Sequence, residues 1–259
     1  MFLENCQFTI NIEIENNMNV EFEKIANQIS GVSVTKNQLG QFKYFYDELN
    51  TWNNKMNLTG STEKRKIYFD HFLDSMCPAY VYKKIFCEET NVLDVGSGAG
   101  FPGLPIKILF PKIKICLLES IGKKTKFLNH VVSSMGLKDV KIIYSRAETV
   151  AHDPDFREQF DTVLSRAIAK LSVVSELTIP FTKVGGNCIF FKGNNPDQEI
   201  IEAEKAIQIL GGEINNVFLK SENSKLPFRG SLIGVTKQKF TPIIYPRKPG
   251  SLKKNPLAG

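Results

Sequence analysis

The chain has no Cys-x-x-Cys pair and only three histidines, and its five cysteines, Cys6, Cys77, Cys87, Cys116 and Cys188, stand far apart. Without clustered thiols or an imidazole at ligand spacing, neither a zinc site nor a disulfide framework is expected, and no metal is assigned. Most of the cysteines read as small buried hydrophobes, Cys77 of the Cys-Pro dipeptide included, because it falls on an expected helix ahead of the glycine loop. His71, His130 and His152 are scattered, so packing or surface roles are expected of them rather than acid–base work. Long apolar runs are missing too: none approaches the roughly 20 residues that cross a bilayer. The opening "MFLENCQFTINIEIE" carries acids where a signal peptide carries bases. The expectation is a cytoplasmic protein with no membrane partner.

Acidic residues are absent from Asn223 to Gly259, where eight basic residues fall: Lys225, Arg229, Lys237, Lys239, Arg247, Lys248, Lys253 and Lys254. The net charge of +6 therefore divides into +8 for this segment and −2 for the remainder. A solvated lysine-rich tail and an electrostatic footprint for a polyanion such as nucleic acid both fit that distribution.

What is present suits one large core with a smaller attached piece, at 259 residues and 42% hydrophobic content. Residues 1–18 have no firm pattern and are expected to form a disordered extension. After Thr35, a fitting N-cap, the apolar positions Leu39, Phe42, Phe45, Tyr46, Leu49, Trp52 and Met56 recur at helical spacing. The stripe Phe42, Phe45, Leu49 and Trp52 reads as a face packed on the rest of the chain. A shorter helix is expected over 64–76. From Thr90 the texture changes, with strands expected at 91–95, 114–119, 140–145, 160–165, 186–192, 213–220 and 231–237. Helices are expected at 102–110, 122–135, 171–181 and 196–210. That alternation implies an α/β fold with a mainly parallel sheet covered on both faces, ending in an antiparallel edge hairpin. The chain divides into a helical segment (19–85), the α/β domain (86–240) and a basic tail (241–259).

The stretch "NVLDVGSGAGFPG" (91–103) places Gly96, Gly98, Gly100 and Gly103 at the first strand-to-helix turn, which lines the ligand crevice of such a sheet. Gly98, Gly100 and Gly103 satisfy G-x-G-x-x-G, which alone admits a nicotinamide-dependent oxidoreductase. Asp94 points elsewhere. A carboxylate two residues before the first glycine would repel a pyrophosphate and suits a cofactor that carries an amino group. Glu119 closes the second strand, where its two oxygens can accept from both hydroxyls of a ribose. Asp94, the glycine loop and Glu119 together fit S-adenosylmethionine better than NAD.

For methyl transfer, the slot after the fourth strand narrows the acceptor. It holds "LSRAIAK" (164–170) in place of the [DNS]-P-P-[YF] grip used on exocyclic amines, and no cysteine nucleophile for pyrimidine C5 stands there. Atoms that are already nucleophilic remain, such as guanine N7 or ribose oxygens. N7 has an in-plane lone pair and no proton, so alignment and electrostatics can suffice without a general base.

The pieces "WNNKMNLTG" (52–60), "HFLDS" (71–75), "LDVGSGAGFPGLPI" (93–106), "LLESIGKKTKFL" (117–128), "SRAE" (145–148), "SRAIA" (165–169), "FKG" (191–193) and "YPRKPGSLKKNPL" (245–257) carry a family resemblance. The chain resembles RsmG, also called GidB, the guanine-N7 methyltransferases of bacterial small-subunit ribosomal RNA. That resemblance implies a Rossmann-like class I S-adenosylmethionine-dependent methyltransferase fold with an N-terminal helical extension. It implies cofactor contacts from Gly96, Phe101, Ala147, Glu148 and Arg166, beside Asp94, Gly98, Gly100 and Glu119 read above. Arg166 and Lys192 are the positioning candidates, and replacing Arg166 is expected to spare the fold. Asn53, Asn57 and His71 could face the acceptor. The partner implied is 16S ribosomal RNA or the small ribosomal subunit, met by a monomer through Lys123, Lys124, Lys126, Lys192, Arg247, Lys248, Lys253 and Lys254. One departure is Asp70, where relatives carry a basic residue, so no RNA contact is expected from that position. The alternatives are the NAD-dependent oxidoreductase and a non-catalytic RNA-binding or ribosome-assembly protein.

Overall fold

A computed structural model describes residues 17–82, 85–219, 228 and 230–257. Helix α1 (17–30) opens the described chain and buries Met18, Phe22, Ala26 and Ile29. The disordered extension expected over 1–18 is overturned at its end, where Asn17 and Met18 begin the helix and Met18 is buried; residues 1–16 with Cys6 lie outside the described residues, as do Lys225 and Arg229 of the basic segment. Helix α2 (Lys36–Asn53) starts at the expected cap: Thr35 Oγ1 accepts from the Gln38 N–H, and Gln38 Oε1 accepts from the Thr35 N–H at 2.8 Å. The amide of Gln38 also donates to the Ile108 and Leu109 carbonyls, satisfying the open end of a neighbouring helix. Phe42, Phe45 and Leu49 are buried, and Phe45 stacks on Phe101 with centroids 5.4 Å apart. The stripe therefore welds the helical segment to the glycine loop.

The next helical run is longer than expected. It passes through α3 (Lys64–Lys66), a π-helical stretch (Ile67–Leu73) and α4 (Asp74–Val81). Pro78 deletes one backbone donor inside α4, yet the helix continues because its Asp74 to Pro78 face is buried and Cys77 Sγ donates to the Leu73 carbonyl.

From there strands and helices alternate: β1 (Asn91–Val95), α5 (Gly103–Leu109), β2 (Lys114–Glu119), α6 (Gly122–Ser134), β3 (Val140–Tyr144), α7 (Ala147–Val150), β4 (Phe160–Arg166), α8 (Leu171–Thr178), β5 (Thr182–Lys192), α9 (Asp197–Ile209), β6 (Gly212–Leu219), β7 (Ser231–Lys237) and α10 (Ser251–Lys254). They form one seven-stranded sheet in the order β3-β2-β1-β4-β5-β7-β6. The first five are mutually parallel, and β7 runs antiparallel to β5 and β6. The antiparallel hairpin expected at the edge is there: β7 pairs with both β5 and β6, and β6 forms one edge of the sheet as β3 forms the other. Strand order reverses at β1, between β2 and β4, and the carboxyl ends of these strands frame the crevice.

The basic tail is tied down. Arg157 donates to the carbonyls of Thr241, Tyr245 and Ala151 at 2.7, 2.9 and 3.0 Å. Glu176 of α8, fully buried, accepts from the Arg247 guanidinium at 2.7 Å and from the Arg247 N–H at 2.8 Å. Arg247 was expected on RNA phosphate; the fold commits it to a buried carboxylate instead.

Gly103 sets the closeness of α5 to the sheet. A Cβ there would stand 2.5 Å from Leu117 Cδ2 and 2.7 Å from Asp94 Oδ2. Gly103→Ala should therefore lower stability to chemical denaturation by about 1–3 kcal/mol, the cost of overpacking a filled core. An unchanged midpoint would show that α5 can retreat.

Candidate active site

The β1–α5 loop owes its course to three residues in the left-handed region, Gly96, Gly98 and Gly100, at φ +72°, +59° and +93°. Their directions differ. A Cβ on Gly100 would strike Leu104 Cδ1 at 2.5 Å, so Gly100 serves the packing of α5 and does not face a ligand as expected. The Gly98 N–H donates to Glu119 Oε2 at 2.8 Å, and the Ile121 N–H donates to Glu119 Oε1 at the same distance. The carboxylate expected on a ribose is thereby locked at the end of β2, 5% exposed, with one lone pair per oxygen still to give. Phe101, expected to cover the cofactor's methionine end, is buried in an aromatic cluster with Phe45, Phe72 and His71.

Asp94 is fully buried at the end of β1. Its Oδ2 accepts from the Gly103 N–H at 3.0 Å, while Oδ1 has no hydrogen-bond partner among the described residues. Burial pushes the carboxyl up to about 7, opposed by the Gly103 N–H and the neighbouring Ser97 hydroxyl, with Glu119 adding to the rise and the Arg166 charge opposing it. An orphaned buried acceptor of this kind is a costly feature in a site with no ligand and a suitable one beneath a cationic ligand. The residues at hand thus fit a positively charged cofactor.

Two cavities flank the turn between β4 and α8. The first, of about 210 Å³, is lined by Gly96, Ser120, Ser145, Ala147, Glu148 and Ile168, and brings together three of the residues expected at the cofactor. Ser120, Ser145 and Ile168 were not foreseen; each is the residue just past a strand end or in the β4–α8 turn, a positional signal that could have found them. Ile168 also packs on Gly96, whose added Cβ would meet Ile168 Cδ1 at 2.6 Å. The second cavity, of about 320 Å³, is lined by Asp74, Arg166, Ala167, Phe191, Lys192 and Glu199. Arg166 and Ala167 line the second and Ile168 lines the first, so the turn is the wall between them. Ala167, at φ +55°, holds that turn in a conformation costing on the order of 1 kcal/mol for a residue with a side chain.

Arg166 was expected on the cofactor. Instead, its guanidinium forms an ion pair with Asp74 Oδ2 at 3.1 Å and donates to the Asp70 carbonyl at 3.0 Å and Ser75 Oγ at 3.3 Å. It faces the second cavity and ties the strand-end crevice to the helical segment. Lys192 forms an ion pair with Glu199 Oε1 at 2.5 Å and donates to the Ala169 carbonyl at 2.8 Å, closing the same wall. Asn53 spends its side-chain oxygen on the Leu58 and Thr59 N–H groups, His71 packs on the Phe101 ring, and Asn57 is exposed.

The other histidines are structural: His130 Nε2 meets Glu48 Oε2, and His152 Nε2 meets the Pro246 carbonyl, each at 2.8 Å. Of the expected phosphate contacts, Lys123, Lys126, Lys248 and Lys254 are exposed and Lys124 is half-buried. Lys253 lies in α10, and its side chain is outside the described residues. Cys77, Cys116 and Cys188 are buried, as expected of most of the cysteines, and Cys87 is exposed. Burial pushes the Cys116 and Cys188 thiols up to about 12 and about 11, which suppresses thiolate chemistry. A larger cavity of about 500 Å³ opens at the amino ends of the strands, away from the glycine loop. No helix of the described residues is long and apolar enough to cross a membrane.

Comparison with known proteins gives the arrangement a context. The family model for GidB, rRNA small subunit methyltransferase G, matches residues 38–226. "Ribosomal RNA small subunit methyltransferase G" of Geobacillus thermodenitrificans is 44% identical over 230 residues, covering 88% of this chain and 94% of that protein. The protein of the same name from Bacillus cereus is 40% identical over 243 residues, covering 93% and 99%. Among solved structures, MtNAS in complex with MTA and tNA matches at TM-score 0.53 and 15% identity over 78% of this chain and 72% of its own. A branched-chain polyamine synthase from Thermus thermophilus matches at TM-score 0.51 and 11% identity over 76% and 64%. Likeness at such identities speaks for the Rossmann-like fold alone. With the glycine loop, the buried Asp94 and the strand-end crevice in place, the family match is decisive: the chain belongs to the GidB family of small-subunit ribosomal RNA methyltransferases.

Proposed function

We propose that this protein methylates N7 of one guanine in 16S ribosomal RNA, with S-adenosylmethionine as methyl donor. The observation that carries the reading is the fully buried Asp94 with its unpartnered Oδ1 beneath the glycine loop. When bound, S-adenosylmethionine supplies an electrophilic methyl group whose carbon–sulfur bonding pair stays on sulfur as the methyl leaves. Gly96, Ala147 and Glu148 bound the cavity that holds it, and Glu119 and Asp94 accept from its hydroxyl and ammonium groups. The N7 lone pair forms the new bond, no proton departs, and the purine is left positively charged. The chain therefore needs to position and to stabilise charge rather than to remove a proton, which accords with histidines engaged elsewhere.

Exposed Lys123, Lys126, Lys248 and Lys254 supply phosphate affinity without choosing a base. The protein acts as a monomer in the cytoplasm, where its RNA partner is. Deleting the gene in its host, digesting small-subunit RNA to nucleosides and quantifying 7-methylguanosine by mass spectrometry tests the reading. Loss of one methyl group per subunit, restored by the wild-type gene, is expected; an unchanged level would end the proposal.

A further inference from the structure

The second cavity has a polarity that positioning by cations does not explain. Glu199, in the first turn of α9, has both of its described contacts on one oxygen: the Leu171 N–H donates to Oε1 at 2.6 Å, and Lys192 Nζ forms an ion pair with it at 2.5 Å. Its Oε2 has no partner among the described residues, and the side chain is 25% exposed at the cavity's edge. The two contacts anchor Oε1. What is left is a free acceptor oxygen beside an ammonium that is paired with Glu199 and donates to the Ala169 carbonyl.

An acceptor next to a donor complements one edge of guanine. There, O6 is an acceptor, and the adjacent N1–H and 2-amino group are donors. Adenine offers the reverse at the first two positions, an amino donor beside an N1 acceptor, so the same pair of side chains repels it. Gripping guanine by this edge leaves N7, on the far side of O6, uncovered. The Phe191 ring and the Arg166 guanidinium complete an apolar and cationic wall in a cavity of about 320 Å³, ample for one unstacked base. Asp74, the other carboxylate of the cavity, is held on Arg166 and nearly fully buried, so it does not compete for the role.

We infer that Glu199, held by Lys192 and the Leu171 N–H, is the residue that reads the acceptor guanine, accepting from N1–H and the 2-amino group while Lys192 donates to O6. The inference rests on the methyl-transfer reading above and adds the base-reading residue to it. Its energetic sense follows from the charge balance of the reaction. Methylation at N7 puts a positive charge on the purine and strengthens N1–H as a donor, so a carboxylate on that edge binds the transition state more tightly than the ground state.

The test uses full-length enzyme and small-subunit RNA ligated with guanosine or inosine at the methylated position, inosine lacking the 2-amino group. Wild type should prefer guanosine about 10-fold, the worth of one hydrogen bond to a charged group. Glu199→Gln keeps an acceptor for the Leu171 N–H, and should lower kcat on guanosine RNA about 10- to 100-fold with KM changed less than about threefold. Its guanosine preference should collapse to within about twofold, and its affinity for S-adenosylmethionine, read by calorimetry, should stay at the wild-type value. A preference as large as wild type's, at any absolute rate, overturns the inference. Should that variant fail to fold, Glu199→Asp withdraws the same charge by one methylene and is judged by the same ratio. If wild type itself transfers no methyl to RNA, it is the underlying reading that falls, a result distinct from an unaltered ratio.

Discussion

Arg166→Ala will abolish methyl transfer and, in addition, destabilise the protein by about 3 kcal/mol. The sequence alone suggested a variant with an intact fold, because an arginine after a strand end reads as a ligand contact. In the structure it balances Asp74, which is 1% exposed and holds its guanidinium at 3.1 Å. Removing one member of such a pair strands a buried charge, and that desolvation cost dominates over the modest net worth of the pair. The same variant releases the Asp70 carbonyl and Ser75 Oγ, so the helical segment loses its tie to the crevice. Pairing Arg166→Ala with Asp74→Asn should recover most of the denaturation midpoint and none of the methylation. A single variant as stable as wild type would mean that Asp74 finds another partner. A double variant that regains activity would remove Arg166 from the reaction.

Asp94→Asn will weaken S-adenosylmethionine binding about 10- to 100-fold, the loss expected when a charge-assisted hydrogen bond becomes a neutral one. It will also stabilise the ligand-free protein at alkaline pH. The sign follows from linkage: the Asp94 carboxyl is pushed up to about 7 in the fold from its ordinary value of 3.8, so the folded state holds its proton more tightly than the unfolded chain. Its contribution to stability is present below the unfolded value and is lost as pH rises towards 7. Asparagine carries no charge to desolvate, so the melting temperature of Asp94→Asn should exceed wild type's at pH 8 and match it near pH 4. Binding runs the other way. Affinity of the wild type for the cationic cofactor should rise with pH through about 7, and the variant should be flat. A wild-type affinity independent of pH would show that Asp94 stays charged throughout.

Much of this fold is legible in order. Strands β1, β2 and β7 fall where the apolar runs "NVLDV", "KICLLE" and "SLIGVTK" place them, because each run is short, rich in branched residues and cut off by glycine, charge or turn. The beginning of β5 is not: it reaches back to Thr182 through Gly185 and Gly186, which read locally as a break. The site divides the same way. The glycine loop, Ala147 and Glu148 are local features of strand ends, and their neighbourhood follows once the sheet is drawn. The ion pairs are not local. Glu176 and Arg247 stand 71 positions apart, and Lys192 turns on Glu199 through a helix start. A count of basic residues treats all of them as available to RNA, and only tertiary structure reveals which are taken.

The π-helical stretch at Ile67–Leu73 sets a phase. A π turn holds more residues than an α turn, so everything after it is rotated relative to an uninterrupted helix. Asp74 and Ser75 meet Arg166 only in that rotated frame. Geometrically the stretch is equivalent to one extra residue inserted into an α-helix. Deleting a single residue within it would restore regular winding, swing both side chains about 100° around the axis, and disconnect the helical segment from the crevice without altering any residue that lines it.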